Sequence, residues 1–220
     1  MKGLLYKDLV TIWNSYRKNL LFVLVIYTAV AVASDQYPLL YAVVFLMGLY
    51  TVSTLSFDEY SHWDTFCRTL PVSAGQVIGA KYLLGLLFMG AGSALSMVLL
   101  CAAAAARGRL NADALAEYLV GCASALVTIL VYYGVTFPVS FKVGAAKARS
   151  AVMAVFAALV GAAFVVYNLL RGDPRWAFVG EALRRTDRLP AAAAVLIAAA
   201  LGVYAASAAV SMKIYREKEF

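Results

Sequence analysis

Six long apolar stretches, each ended by a short polar segment, occupy most of the chain between residues 20 and 212. A hydrocarbon core ~30 Å thick is crossed by ~20 residues in a helix, and backbone groups inside it must pair within their own segment. The chain therefore reads as an all-α, polytopic membrane protein, with spans at 20–34, 38–56, 81–106, 114–138, 150–170 and 190–212. Aliphatic, aromatic and cysteine residues make up 64% of the 220 positions and charged residues 14%. Too little polar sequence is left for a second globular unit, so we expect a single transmembrane domain over 1–220.

The first span is short and continues back through Asn19 to the snorkelling Arg17 and Lys18. Small residues at Ala31 and Ala33 before Ser34 also resemble a leader-peptide cleavage site. The preceding residues are too many for an ordinary n-region, however, and include Asp8 and Trp13.

For such a chain the net charge of +7 is first a matter of sidedness, and no nucleic-acid partner is expected. When loops are assigned alternately, all eight lysines fall on one face: Lys2, Lys7, Lys18, Lys81, Lys142, Lys147, Lys213 and Lys218. Arg17, Arg68, Arg149 and Arg216 join them, against seven arginines opposite. The bias puts both termini in the cytoplasm.

Several chemistries are excluded by what the spans lack. Cys67, Cys101 and Cys122 have no CxxC spacing, and no metal site is expected. The one histidine, His62, lies in a loop, and neither HExxH nor a nucleophile elbow occurs. Ion coupling needs an ionisable group at membrane depth. Only Glu117 comes near, in the first turn of the fourth span, where a helix N-terminus favours a carboxylate. Nothing matches GxxxxGK[ST], so any ATP-driven work requires another chain.

Three segments are neither span nor plain loop. In 1–18, Leu5, Leu9, Ile12 and Tyr16 recur at helical spacing with Lys7, Asp8, Asn14 and Arg17 on other faces, an interfacial amphipathic helix against membrane lipid. In 57–70, Ser56 with Glu59 reads as a capping box, and Tyr60, Trp63, Cys67 and Leu70 then line one face until Pro71. Asp64 and Arg68 stand one turn apart, and a second box, Ser73 with Gln76, opens the next span. Such a rod could dock into a groove on a partner, its aromatic face inserted and Asp58, Glu59 and Asp64 left for basic groups. In 171–189, Asp173 caps Pro174, and Trp176, Val179 and Leu183 share a face, a short outer or re-entrant helix.

These features, with MKGLLYKDL at the start and SFDEYSHWDTFCRTLPVSAGQVIGAKYL from Ser56, resemble an ABC-2 type transporter permease, the membrane subunit of an ATP-driven exporter. Ala74 and Gly75 depart from the basic residues that many relatives carry after the LPVS turn. The resemblance implies that 57–70 is a coupling helix through which a separate ABC ATPase subunit docks, using Asp58, Glu59, Tyr60, Trp63, Asp64 and Arg68. No catalytic residue or directly bound cofactor follows; ATP and magnesium would sit on the partner. Two copies, or this chain with a close paralogue, would enclose the path. Small residues such as Gly85, Gly90, Gly92, Gly121, Ala125, Gly134 and Gly161 allow close helix packing.

The substrate class implied is amphipathic peptides, such as phenol-soluble modulins and bacteriocins, or hydrophobic compounds. Uncharged candidates to line the path are Tyr41, Tyr50, Ser53 and Thr54 on the second span and Phe156, Tyr167 and Asn168 on the fifth. A non-transporting membrane interaction or immunity protein, and an ion-coupled secondary transporter, stand as alternatives.

Overall fold

The computed structural model describes residues 1–67, 69–170 and 189–217, without the side chains at 159–160, 163–164, 166–170 and 189–192. Every regular element among the described residues is helical: α1 (Lys2–Ser34), a 3-10 turn (Tyr37–Tyr41), α2 (Ala42–Tyr60), α3 (Trp63–Cys67), α4 (Ala74–Ala106), α5 (Ala112–Val143), α6 (Ala145–Leu170) and α7 (Leu189–Glu217). Five of these segments are long and apolar enough to cross a membrane: α1, the turn with α2, α4, α5 and α7. The outer segment expected at 171–189 lies outside the described residues except for Leu189, which opens α7.

The boundaries follow from local chemistry. α1 runs unbroken from the amphipathic start into the first span, through Asn19, Lys18 and Arg17 as expected, because none of these residues is a glycine or proline that would break it. It stops at Asp35, whose left-handed backbone (φ 60°, ψ 26°) returns its N–H to the Ala31 carbonyl, and Pro38 then starts the 3-10 turn. α4 opens on the full reciprocal box of Ser73 and Gln76, as the spacing foretells. The Asn111 carboxamide oxygen accepts the Ala114 N–H at 2.7 Å to open α5.

Pro138 does not end the fourth span as expected; α5 continues to Val143. A proline at 138 leaves the carbonyl four residues earlier, at Gly134, without its helical donor. The Ser207 hydroxyl of α7 donates to that carbonyl at 2.8 Å, so the interruption is filled from a neighbour. Ser207 and Ser211 also bond the Tyr82 hydroxyl at 2.7 and 2.8 Å, and the Tyr204 hydroxyl donates to the Tyr82 carbonyl. This seam holds α4, α5 and α7 together around a core containing Ile78, Tyr133, Phe137 and Tyr204.

α5 and α7 pack extensively, and α2 lies against α4. Of the glycines expected to allow close packing, Gly85 faces Tyr204 and Tyr133, Gly92 faces Met47, and Gly121 lies under the Tyr41 ring. Among the described residues, a Cβ at Gly90 or Gly161 would meet nothing within 4 Å. α1 is thinly attached: its buried residues are Asp8, Ile12 and Ala31, while Leu21, Phe22 and Val25 face outward. Met1 lies beside Gly79 and Met212 beside Gly75, so the start of α1, the start of α4 and the end of α7 share one end of the bundle. Asp35, Arg107 and Arg109 join α1 to the segment after α4 at the other end.

Candidate functional site

The end of the bundle that holds Met1 contains the corner between α2 and α3. α2 does not stop before the coupling segment; it runs through Ser56 and Glu59 to Tyr60. The expected box at Ser56 and Glu59 is therefore not a cap, because the apolar run before Ser56 keeps its backbone helical. α2 closes instead at Ser61 and His62, the latter in the left-handed region at φ 52°. The helix expected over 57–70 is thus replaced by the end of α2, a sharp turn and the five residues of α3. Arg68 lies outside the described residues, and with it the expected pairing to Asp64.

Two consecutive carboxylates on the last turn of α2 point to different partners. Asp58 meets Lys7 and Lys81 at 2.5 Å each, and both lysines also reach Asp8, at 3.0 and 2.8 Å. The result is a ring of two lysines and two aspartates in alternation, joining α1, α2 and α4. Side-chain exposures of 2% for Asp8 and 5% for Lys81 take these charges out of water. The Thr54 hydroxyl accepts a further bond from Lys81 at 3.2 Å. Charges at this depth are tolerated only when paired and hydrogen-bonded, and the ring satisfies both conditions with no net charge. Lys7 also sits 4.2 Å from the centre of the Trp63 ring, a cation–π contact that ties α3 to α1.

Glu59 turns the other way. Its Oε2 accepts the backbone N–H groups of Ala145 at 2.6 Å and Ala146 at 3.3 Å, so it caps the N-terminus of α6 from 86 residues away. Gly144 makes the approach possible: its φ is 95°, and a Cβ there would lie 2.6 Å from Glu59 Oε1.

Asp58 and Glu59, expected to face a partner, are therefore committed within the chain. The outward surface of the corner carries two aromatic rings among the exposed Glu59, Ser61, His62 and Thr65. Tyr60 is 89% exposed and Phe66 55%, while Trp63 is half-buried beneath Lys7 and Asp64 is also half-buried. Phe66 falls outside the docking set that the sequence suggests; its place three residues beyond Trp63, which sets their rings 5.4 Å apart, is the signal that could have included it. Cys67 is buried, and that burial, with Asp64 nearby, pushes its thiol above the ordinary range.

The expected path residues are not gathered around a common cavity among the described residues. Tyr41 lies on Gly121 of α5. Tyr50 is buried and stacks on Tyr16 of α1 with ring centres 4.5 Å apart. Ser53 donates to the Leu49 carbonyl, and Thr54 belongs to the charge ring. Phe156 meets Tyr132 edge-on at 5.5 Å. The backbone of Tyr167 and Asn168 is in α6, with side chains outside the described set.

At the opposite end Asp35 takes Arg107 at 3.0 Å and Arg109 at 2.5 Å, and Arg107 also donates to the Val32 carbonyl. The hydrogen bond from Arg109 holds the Asp35 carboxyl below the usual carboxylate range. Among the described residues there is no group of three or more histidine, cysteine or acidic side chains able to hold a metal ion.

Apolar helices of spanning length, with charged side chains collected at their ends, define a multi-pass membrane protein. A family model described as ABC-2 family transporter protein matches residues 3–216, and the chain belongs to that family. It is thereby a membrane component of an ABC transporter, not itself an ATPase, and the family implies an ABC ATPase partner. No curated protein and no solved structure matches the chain.

Proposed function

We propose that this chain is the permease subunit of an ATP-driven exporter and that the ATPase docks on the α2–α3 corner. The observation that carries this reading is the exposed aromatic pair Tyr60 and Phe66 on a turn braced from within by the charge ring, by Lys7 against Trp63 and by Glu59 on α6. An exposed aromatic surface on a rigid base suits a groove in a partner, and Asp64 on the same short helix offers a carboxylate to basic groups there.

In this reading α6 is the fifth of six spans and α7 the sixth, and the shared end of α1, α2, α4 and α7 faces the cytoplasm of a bacterial cell, with both termini. Two such chains, identical or closely related, enclose the path, since one bundle forms no conduit among its described residues. Phe156, Tyr167 and Asn168 on α6 contribute uncharged groups to it, and Thr54 is reassigned from the path to the charge ring. Amphipathic peptides or hydrophobic compounds are the substrate class that such a lining accepts.

Co-expression with an ABC ATPase tests the docking surface. Phe66→Glu and Tyr60→Ala are expected to weaken the purified complex about 10-fold or more while the chain still inserts in the membrane; Trp63→Glu and Asp64→Arg act in the same direction. Full retention of the ATPase by all four variants would show that it docks elsewhere.

A further inference from the structure

We infer that Asp58 and Glu59 form a two-pronged transmission point, in which Asp58 passes movement of the α2–α3 corner to α1 and α4, and Glu59 passes it separately to α6. The inference rests on the proposed docking of the ATPase at that corner, and it concerns positioning residues that do not touch the ATPase.

The two side chains are adjacent in sequence yet hold different helices. Asp58 is the only carboxylate on α2 in the ring, and it touches Lys7 of α1 and Lys81 of α4 at 2.5 Å each. The first half of α1 also packs through Ile12 and through Tyr16 stacked on Tyr50, with Leu5 and Leu20 against the same cluster, but its only ion contacts to other helices among the described residues run through Lys7 and Asp8. Movement of Asp58 therefore reaches α1 directly through Lys7, and through Lys81 to Asp8. Glu59 holds α6 by its first backbone N–H groups, where a carboxylate also meets the positive end of the helix dipole. Charge-assisted bonds of this kind are short and directional, so they transmit displacement better than sliding apolar contacts.

The space around the prongs is not close-packed. A cavity of about 60 Å³ lies between Asp58, Glu59, Lys81, Ser140 and Gly144, and the hydroxyl of Ser140, one of its lining residues, is buried without a hydrogen-bond partner among the described residues. Well-packed interiors leave few voids larger than a water molecule. Here the void adjoins both prongs.

The test uses the complex with its ATPase and a chain whose three cysteines are replaced by alanine. Spin labels at Thr69, Tyr6 and Lys147 report the corner, α1 and α6, each measured against a label at Leu119 of α5. In the parent chain, trapping ATP with vanadate should shift all three distances. Glu59→Ala should reduce the Lys147 shift to about half or less while the Tyr6 shift persists, and Asp58→Asn should do the reverse. Glu59→Gln keeps an acceptor oxygen and should keep the Lys147 shift. Transport per ATP hydrolysed should fall about 5-fold in Glu59→Ala, the low end of ordinary coupling energies.

An undiminished Lys147 shift in Glu59→Ala, or equal loss of all shifts in both variants, would overturn the two-pronged arrangement while leaving the docking site standing. Absence of any shift at Thr69 in the parent complex would overturn the docking reading and the transmission point together.

Discussion

Replacing Lys81 by methionine is the sharpest probe of the ring. Lys81 supplies two of its four ion contacts, at 2.8 and 2.5 Å, as well as the bond to Thr54. At an effective dielectric of ~20 each such contact has a gross attraction of about 6 kcal/mol, offset by the desolvation of both ions and by repulsion across the ring's diagonals. Without Lys81 the ring carries a net negative charge, and Asp8, at 2% exposure, keeps Lys7 alone. Breaking a buried pair in this way costs about 3–5 kcal/mol. Replacing Asp8 by leucine should cost about the same, through an unbalanced lysine. The double variant restores neutrality with Lys7 and Asp58 still paired, and should recover to within about 2 kcal/mol of the parent. Unfolding in mixed detergent micelles, followed by helical circular dichroism, gives all three values and hence the coupling between the two residues. Additive costs, or a loss below about 1 kcal/mol for Lys81→Met, would refute the view that the charges act as one neutral, desolvated unit.

Other perturbations have equally definite outcomes. Ser207→Ala strips the Gly134 carbonyl of its donor and Tyr82 of a partner, and should lower stability by about 1–3 kcal/mol; hydrogen exchange in α5 next to Pro138 should rise with it. Gly144→Ala places a side chain at φ 95° and 2.6 Å from Glu59 Oε1, so a loss of about 1–3 kcal/mol is expected, with faster exchange at Ala145 and Ala146. The link from Asp35 to Arg107 and Arg109 should depend on pH with a defined sign. The folded carboxyl titrates below its unfolded value, so its contribution is complete above the unfolded value and is lost as pH falls through the folded one. A carboxyl carbon-13 titration of Asp35 should show a depressed midpoint that Arg109→Gln raises toward the ordinary value.

Much of the helical layout was legible because it depends on local chemistry and on apolar length. The Ser73–Gln76 box opens α4 as its spacing indicates, whereas Ser56 and Glu59 show a similar spacing within a helix that has already begun. The difference lies in the preceding residues: Pro71 and Val72 stop one chain direction before Ser73, while an uninterrupted apolar run leads into Ser56. Long-range satisfaction was not legible. Pro138 looked terminal because the donor for Gly134 comes from Ser207, and Glu59 looked available because the donors it accepts from, the first N–H groups of α6, lie 86 and 87 positions away. Lys81 counted as one more inner-face cation, although its setting among Ile78, Ala80 and Tyr82 signalled a lysine in need of a buried carboxylate. Asp8 carried the matching signal beside Leu9.

The ring also sets an order on assembly. Asp8 leaves the ribosome 73 residues ahead of Lys81, so three of the ring's four members, Lys7, Asp8 and Asp58, are synthesised before its second lysine exists. Until α4 arrives, the leading half of α1 must keep its own charges hydrated at the bilayer surface. Docking of the nascent third long helix is then the event that draws the beginning of the polypeptide into place.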